Sequence, residues 1–136
     1  MIQIIMGLKG SGKTKRLIDS INETVASAQG DVVCIEYGKQ LTYDVNYRVR
    51  LVNSKEYDIH NIDSLKGLVC GLHAGNFDIT NVYIDNLYKT IGTDRAVGEA
   101  FILWCAEFAK ANNMNFTITV SDDPAAASDA VKAFLV

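Results

Sequence analysis

The chain is expected to fold as an α/β domain, a mostly parallel sheet of four to five strands with helices on both faces. Short apolar runs alternate with segments of helical period, which calls for parallel strands joined by right-handed helical crossovers. The runs end on small or polar residues, Gly7, Glu36, Asp85 and Ser121. The first run leads directly into a glycine-rich turn and then an amphipathic helix. A length of 136 residues suits one domain and one core, so a single domain is expected over 1–136.

Ile2-Gln3-Ile4-Ile5-Met6 reads as a short buried strand, and Leu17, Ile18, Ile21 and Val25 mark one side of the helix that follows. Between them, Gly7-Leu8-Lys9-Gly10-Ser11-Gly12-Lys13-Thr14 is a complete G-x-x-x-x-G-K-[ST] sequence. Glycines at 7, 10 and 12 allow the backbone to turn successive N–H groups inward around phosphate oxygens, and the helix N-terminus adds positive potential. Ser11 lies inside the same turn. In such a loop Lys13 reaches the β and γ phosphates, and the Thr14 hydroxyl ligates Mg²⁺. P-loop NTPase chemistry on a nucleoside triphosphate, with ATP and Mg²⁺ as cofactors, is the expectation.

Val32-Val33-Cys34-Ile35 is the second strand, and Tyr47, Val49 and Leu51 alternate as an exposed strand on a sheet edge. Ile62, Leu65, Leu68, Val69 and Leu72 follow helical spacing up to Gly75, with Asp63 or Ser64 as the cap. Val82-Tyr83-Ile84-Asp85 is the third buried strand. A long helix then places Val97, Ala100, Phe101, Trp104, Cys105 and Phe108 on one face, ending at Asn112-Asn113. Phe116 to Val120 forms the last strand, and Asp123 caps a short helix opened by Pro124.

Net charge of -3 gives no basic footprint, so nucleic acid is unsupported as a partner. Met1 enters the first strand at once and no apolar run approaches about 18 residues, so a cytoplasmic chain with no membrane association is expected. Cys34, Cys70 and Cys105 each sit in an apolar pattern without C-x-x-C pairing and read as buried reduced thiols. His60 and His73 lack partners at metal-binding spacing, and no zinc site is expected.

In a doubly wound sheet, ligands sit beyond the carboxyl ends of the strands. Asp85, at such an end, is placed to hold Mg²⁺ with Thr14; its plainer role is a cap or turn former. A water attacking the γ phosphate needs a nearby carboxylate, and Asn86 cannot remove a proton. Glu36 is then the candidate catalytic residue beside Lys13, against a solvated strand end. Ser121, with Thr119 two residues before it on the same face, can contact the γ phosphate or simply bond at the strand end. Lys39, Arg48 and Arg50 offer a cation to the phosphates, or a charged sheet edge.

Val32 to Glu36 after the first helix, and Val82 to Leu87 later, resemble the corresponding strands of RecA-like ATPases, including the KaiC, DnaB-helicase and RadA branches. The resemblance implies a RecA-like core with a catalytic glutamate at Glu36, a Walker B aspartate at Asp85 and a fourth-strand sensor at Ser121. It also implies slow ATP hydrolysis coupled to a change of conformation or assembly, with nucleotide at a homo-oligomer boundary. The chain has no room for the DNA-binding loops of recombinases. A nucleotide-dependent regulatory module that does not hydrolyse is the alternative. The layout also resembles type II thymidine kinases, but Asn86 replaces their glutamate and the scattered cysteines do not make their zinc lobe.

Overall fold

The structure is a computed structural model describing residues 1–136. Five strands, β1 (Ile2–Gly7), β2 (Asp31–Glu36), β3 (Arg50–Asn53), β4 (Ile79–Ile84) and β5 (Asn115–Ser121), form one all-parallel sheet in the order β1-β5-β4-β2-β3. The helices are α1 (Lys13–Ser27), α2 (Ile62–Gly75), α3 (Leu87–Ile91), α4 (Arg95–Asn112) and α5 (Asp129–Lys132).

Alternation along the central strands decides which helix covers which face. In β2, Val32 and Cys34 pack with Leu17, Ile21 and Val25 of α1, while Val33 and Ile35 join the larger core beneath α2 and α4. The expected helices on both faces are therefore present. Leu41, Val45 and Val49 close the α1 side of the sheet, so the segment between β2 and β3 is a lid over that smaller core. Tyr83 projects into the same face, and its hydroxyl reaches Thr24 Oγ1 at 2.8 Å.

Local chemistry shifts several sequence-derived boundaries. The edge strand begins at Arg50 rather than Tyr47, because Val49 is turned into the α1-side core while Tyr47 faces water. Asn61, not Asp63 or Ser64, caps α2: its side chain accepts from the Ser64 amide, and Ser64 Oγ accepts from the Asn61 amide. Asp123 does cap the turn at Pro124–Ala126, which is a 3-10 helix. On α4 the fully buried residues include Phe101, Ile102, Cys105 and Ala109, whereas Ala100 is exposed. Trp104 and Phe108 stack along the rim at a centroid separation of 5.1 Å. Cys34 and Cys105 are buried as expected; Cys70 is exposed, on the outer side of α2. No helix is long and apolar enough to cross a membrane.

Phe101 has no solvent exposure and sits in the larger core. Phe101→Ala is expected to lower the unfolding free energy by about 3–5 kcal/mol, measured by urea titration with an unchanged m-value.

Candidate functional site

Strand order sets the geometry of the site. β5 lies between β1 and β4, with Gly7 paired to Ser121 and Ile84 to Ile118. Adjacent strands are about 4.8 Å apart, so the ends of β1 and β4 face each other across roughly 10 Å. A cleft of about 390 Å³ occupies that gap, lined by Lys9, Gly10, Gly12, Lys13, Thr14 and Lys15 on one side and by Asp85, Asn86, Thr119 and Ser121 on the other. None of the lining residues is hydrophobic.

The loop side is built from backbone donors. Gly12 precedes α1 with φ of 85°, a left-handed conformation that a side chain would strain, and it brings no capping group to the helix. The amides of the first turn thus lack an intrahelical acceptor and open on the cleft, at the positive end of α1. Lys13 is buried, its ammonium donating to Leu8 O at 3.0 Å and Ser11 Oγ at 3.5 Å. It is folded across its own loop. Gly7 ends β1 behind the loop, its carbonyl accepting from the Asp122 amide at 3.1 Å. Neither Gly7 nor Ser11, both expected at the phosphates, lines the cleft; Ser11 Oγ instead accepts from Lys13.

The opposite wall is organised by one hydroxyl. Thr119 Oγ1 donates to Asp85 Oδ1 at 2.9 Å and accepts from the Asn86 amide at 2.6 Å. That pair of bonds fixes the carboxylate and the turn after it, where Asn86 is left-handed at φ 54°. Thr119 is therefore a positioning residue, while Ser121, two residues on, lines the cleft without a side-chain hydrogen bond inside the chain. Burial pushes the Asp85 carboxyl above its ordinary pKa; the Thr119 bond and the charges of Lys89 and Lys13 pull against this.

Glu36 lies apart from this arrangement. It is 4% exposed, and its two oxygens accept from the Gln40 amide at 3.0 Å and the Leu41 amide at 3.2 Å. It lines a separate cleft with Gly38, Lys39 and Thr42. Burial raises its pKa, against the two amide bonds, and the charge of Asp85 adds to the rise. Arg48 and Arg50 line a third cleft, with residues such as Asp31, Gly75 and Ile79 at the amino-terminal side of the sheet. Neither arginine nor Lys39 lines the glycine-rich cleft.

Lys9, Lys15 and Asn86 are cleft residues that the motif-based reading left out. Lys9 falls at a variable motif position and Asn86 directly follows Asp85, so adjacency was the available signal. Thr119's dual bond had no sequence signature, since it depends on the β4–β5 register.

Comparison of the chain with models of protein families and with curated proteins gives no match. The fold defines the chain as an α/β protein with a five-stranded parallel sheet, and the uncapped amides at the start of α1 open at the β1–α1 turn.

Asp85 and Glu36 both keep their protons longer when folded than when unfolded. Each therefore favours the folded state most below its ordinary value, 3.8 or 4.5, and that contribution is lost as pH rises through the raised folded value. Asp122 works oppositely: Arg95 holds its carboxyl well below the usual range, and its contribution is lost only under more acidic conditions. Without divalent cation, Asp85→Asn is expected to raise Tm relative to the parent more at about pH 7 than at about pH 4.5. A mutant-to-parent difference in Tm independent of pH would contradict the burial argument.

Proposed function

We propose that the cleft binds Mg-ATP and that the protein is a slow P-loop ATPase whose nucleotide state switches conformation or assembly. The observation that carries this reading is the meeting, across one polar cleft, of the α1 first turn with Lys13 and Thr14, and of Asp85 with Ser121. In the RecA-like reading, β5 between β1 and β4 puts the sensor candidate Ser121 between the phosphate loop and the Walker B aspartate.

The donor set fits Mg²⁺. A Thr14 hydroxyl and an Asp85 carboxylate are hard oxygen ligands facing one cleft, and the chain offers no cluster of three or more acidic, histidine or cysteine groups that would form a closed metal cage. Mg²⁺ ordinarily takes few protein ligands, completing its octahedron with phosphate oxygens and water. Bound there, it would neutralise phosphate charge and draw the Asp85 pKa downward. Lys13 would exchange its bonds to Leu8 O and Ser11 Oγ for phosphate oxygens, a charge-assisted replacement for two neutral acceptors.

Turnover by this reading falls to Glu36 as the group that orients water. Its engagement with the Gln40 and Leu41 amides, in a cleft apart from the first, means that Glu36 would have to turn toward the nucleotide to act. The same engagement favours a second reading, a nucleotide-dependent binding module that does not hydrolyse.

Lys13→Ala is expected to weaken Mg-ATP binding about 10- to 100-fold, equivalent to losing a charged hydrogen-bond donor, as measured by isothermal titration calorimetry; unchanged affinity would overturn the assignment. Single-turnover assay of bound ATP separates the two readings. An ATPase converts it, and Glu36→Gln binds but converts it at least about 10²-fold more slowly; ATP intact after hours in the parent supports the binding module. Molecular mass in solution with and without Mg-ATP tests nucleotide-linked self-association.

A further inference from the structure

A second cleft, of about 370 Å³, adjoins the first and shares Lys9, Asn86 and Ser121 with it. Its remaining walls are Tyr88 and Lys89 of α3 and Thr93 in the following turn. The lining holds two lysines, hydroxyl and amide groups, and no carboxylate, although acidic residues outnumber basic ones in the chain, 16 to 13. Neither Lys9 nor Lys89 forms an ion pair; the chain's salt bridges are Lys15–Asp19, His60–Asp58 and Arg95–Asp122.

The wall carrying these groups is fixed from behind. The Tyr88 hydroxyl donates to Asp122 Oδ2 at 2.8 Å, and Arg95 grips both oxygens of the same carboxylate at 2.8 and 2.9 Å. Asp122, the acid behind Tyr88, is thereby neutralised by a bidentate partner and its field is largely cancelled. The Tyr88 ring also lies against α4 at Gly98, where an added Cβ would stand 2.7 Å from the ring. Ring and hydroxyl are both held, which presents α3 to the cleft in one position.

We infer that this second cleft is a subsite for the phosphate group of a small phosphorylated co-ligand, held between Lys9 and Lys89 with Thr93 and Ser121 as hydroxyl donors. Lysine ammonium groups act as compact point charges, and two of them together suit a multiply charged tetrahedral oxyanion more than a singly charged carboxylate. The only arginine close by, Arg95, is already committed to Asp122. Lys89 also lies within Coulombic range of Asp85 and Glu36 without an ion-pair contact to either, so it stays available to an incoming anion. The assignment of this space to a co-ligand rests on the neighbouring cleft holding the nucleotide.

The test keeps the two sites apart. The intact protein is saturated with magnesium and a non-hydrolysable ATP analogue, and inorganic phosphate is titrated in while amide resonances are followed by NMR. Saturable shifts are expected at Lys89 and Thr93. Lys89→Ala removes a side chain that lines the second cleft and not the first, although its charge also reaches Asp85; phosphate binding should weaken at least five-fold, and analogue affinity by clearly less than phosphate affinity. Acetate and citrate form the comparison arm: a carboxylate that binds as tightly as phosphate would overturn the phosphate assignment. Absence of saturable shifts on the nucleotide-loaded protein, or equal phosphate affinity in Lys89→Ala, would also overturn it. Failure of the analogue itself to bind would instead remove the nucleotide reading, and phosphate shifts at Thr93 that vanish in Lys89→Ala would still support the second subsite.

Discussion

The Thr119 hydroxyl, bonded at once to the Asp85 carboxylate and the Asn86 amide, is the interaction on which the candidate site depends. It ties the end of β4 to β5, and β5 in turn is in register with β1 up to Gly7. Loop, hydroxyl strand and acidic strand are thus locked by sheet hydrogen bonding rather than by flexible side-chain contacts. Such a scaffold leaves the Lys13 side chain, folded onto Leu8 O and Ser11 Oγ, as the main group that must turn when an anion arrives.

Electrostatic imbalance follows from the same packing. Burial raises the pKa of Asp85 and Glu36, while Lys89, within Coulombic range of both, and Lys9, which shares a cleft with Asp85, form no ion pair. Acids short of cations and lysines short of anions occur at one end of one sheet. In the proposed reading, Mg²⁺ held by Asp85 answers the first deficit, and the anion proposed for the second cleft answers the lysines.

The fold was legible because its signals are local. The continuous apolar run Val32 to Ile35, the helix period through Leu17, Ile21 and Val25, and the glycine pattern before Lys13 each depend on a few consecutive residues. The two faces and the edge position of β3 followed from them. What sequence could not supply was lateral order: nothing in Thr119 announces that β5 inserts between β1 and β4, so its bond to Asp85 across 34 residues was invisible. Tertiary packing overrode local pattern at Val49, drawn into the α1-side core, and the capping box of Asn61 with Ser64 places the α2 cap two to three residues before the expected one. Glu36 shows the limit most clearly. Its place at a strand end was readable, but the turn that folds back to occupy its oxygens was not.

The distribution of thiols has a practical side. Cys34 and Cys105 are enclosed, and desolvation holds both in the unreactive protonated form, whereas Cys70 is open to solvent on α2. A maleimide dye would consequently attach at one position on an unmodified chain, on the sheet face opposite α1. Fluorescence from that single reporter would follow movements of the α2 layer without a label intruding on either polar cleft.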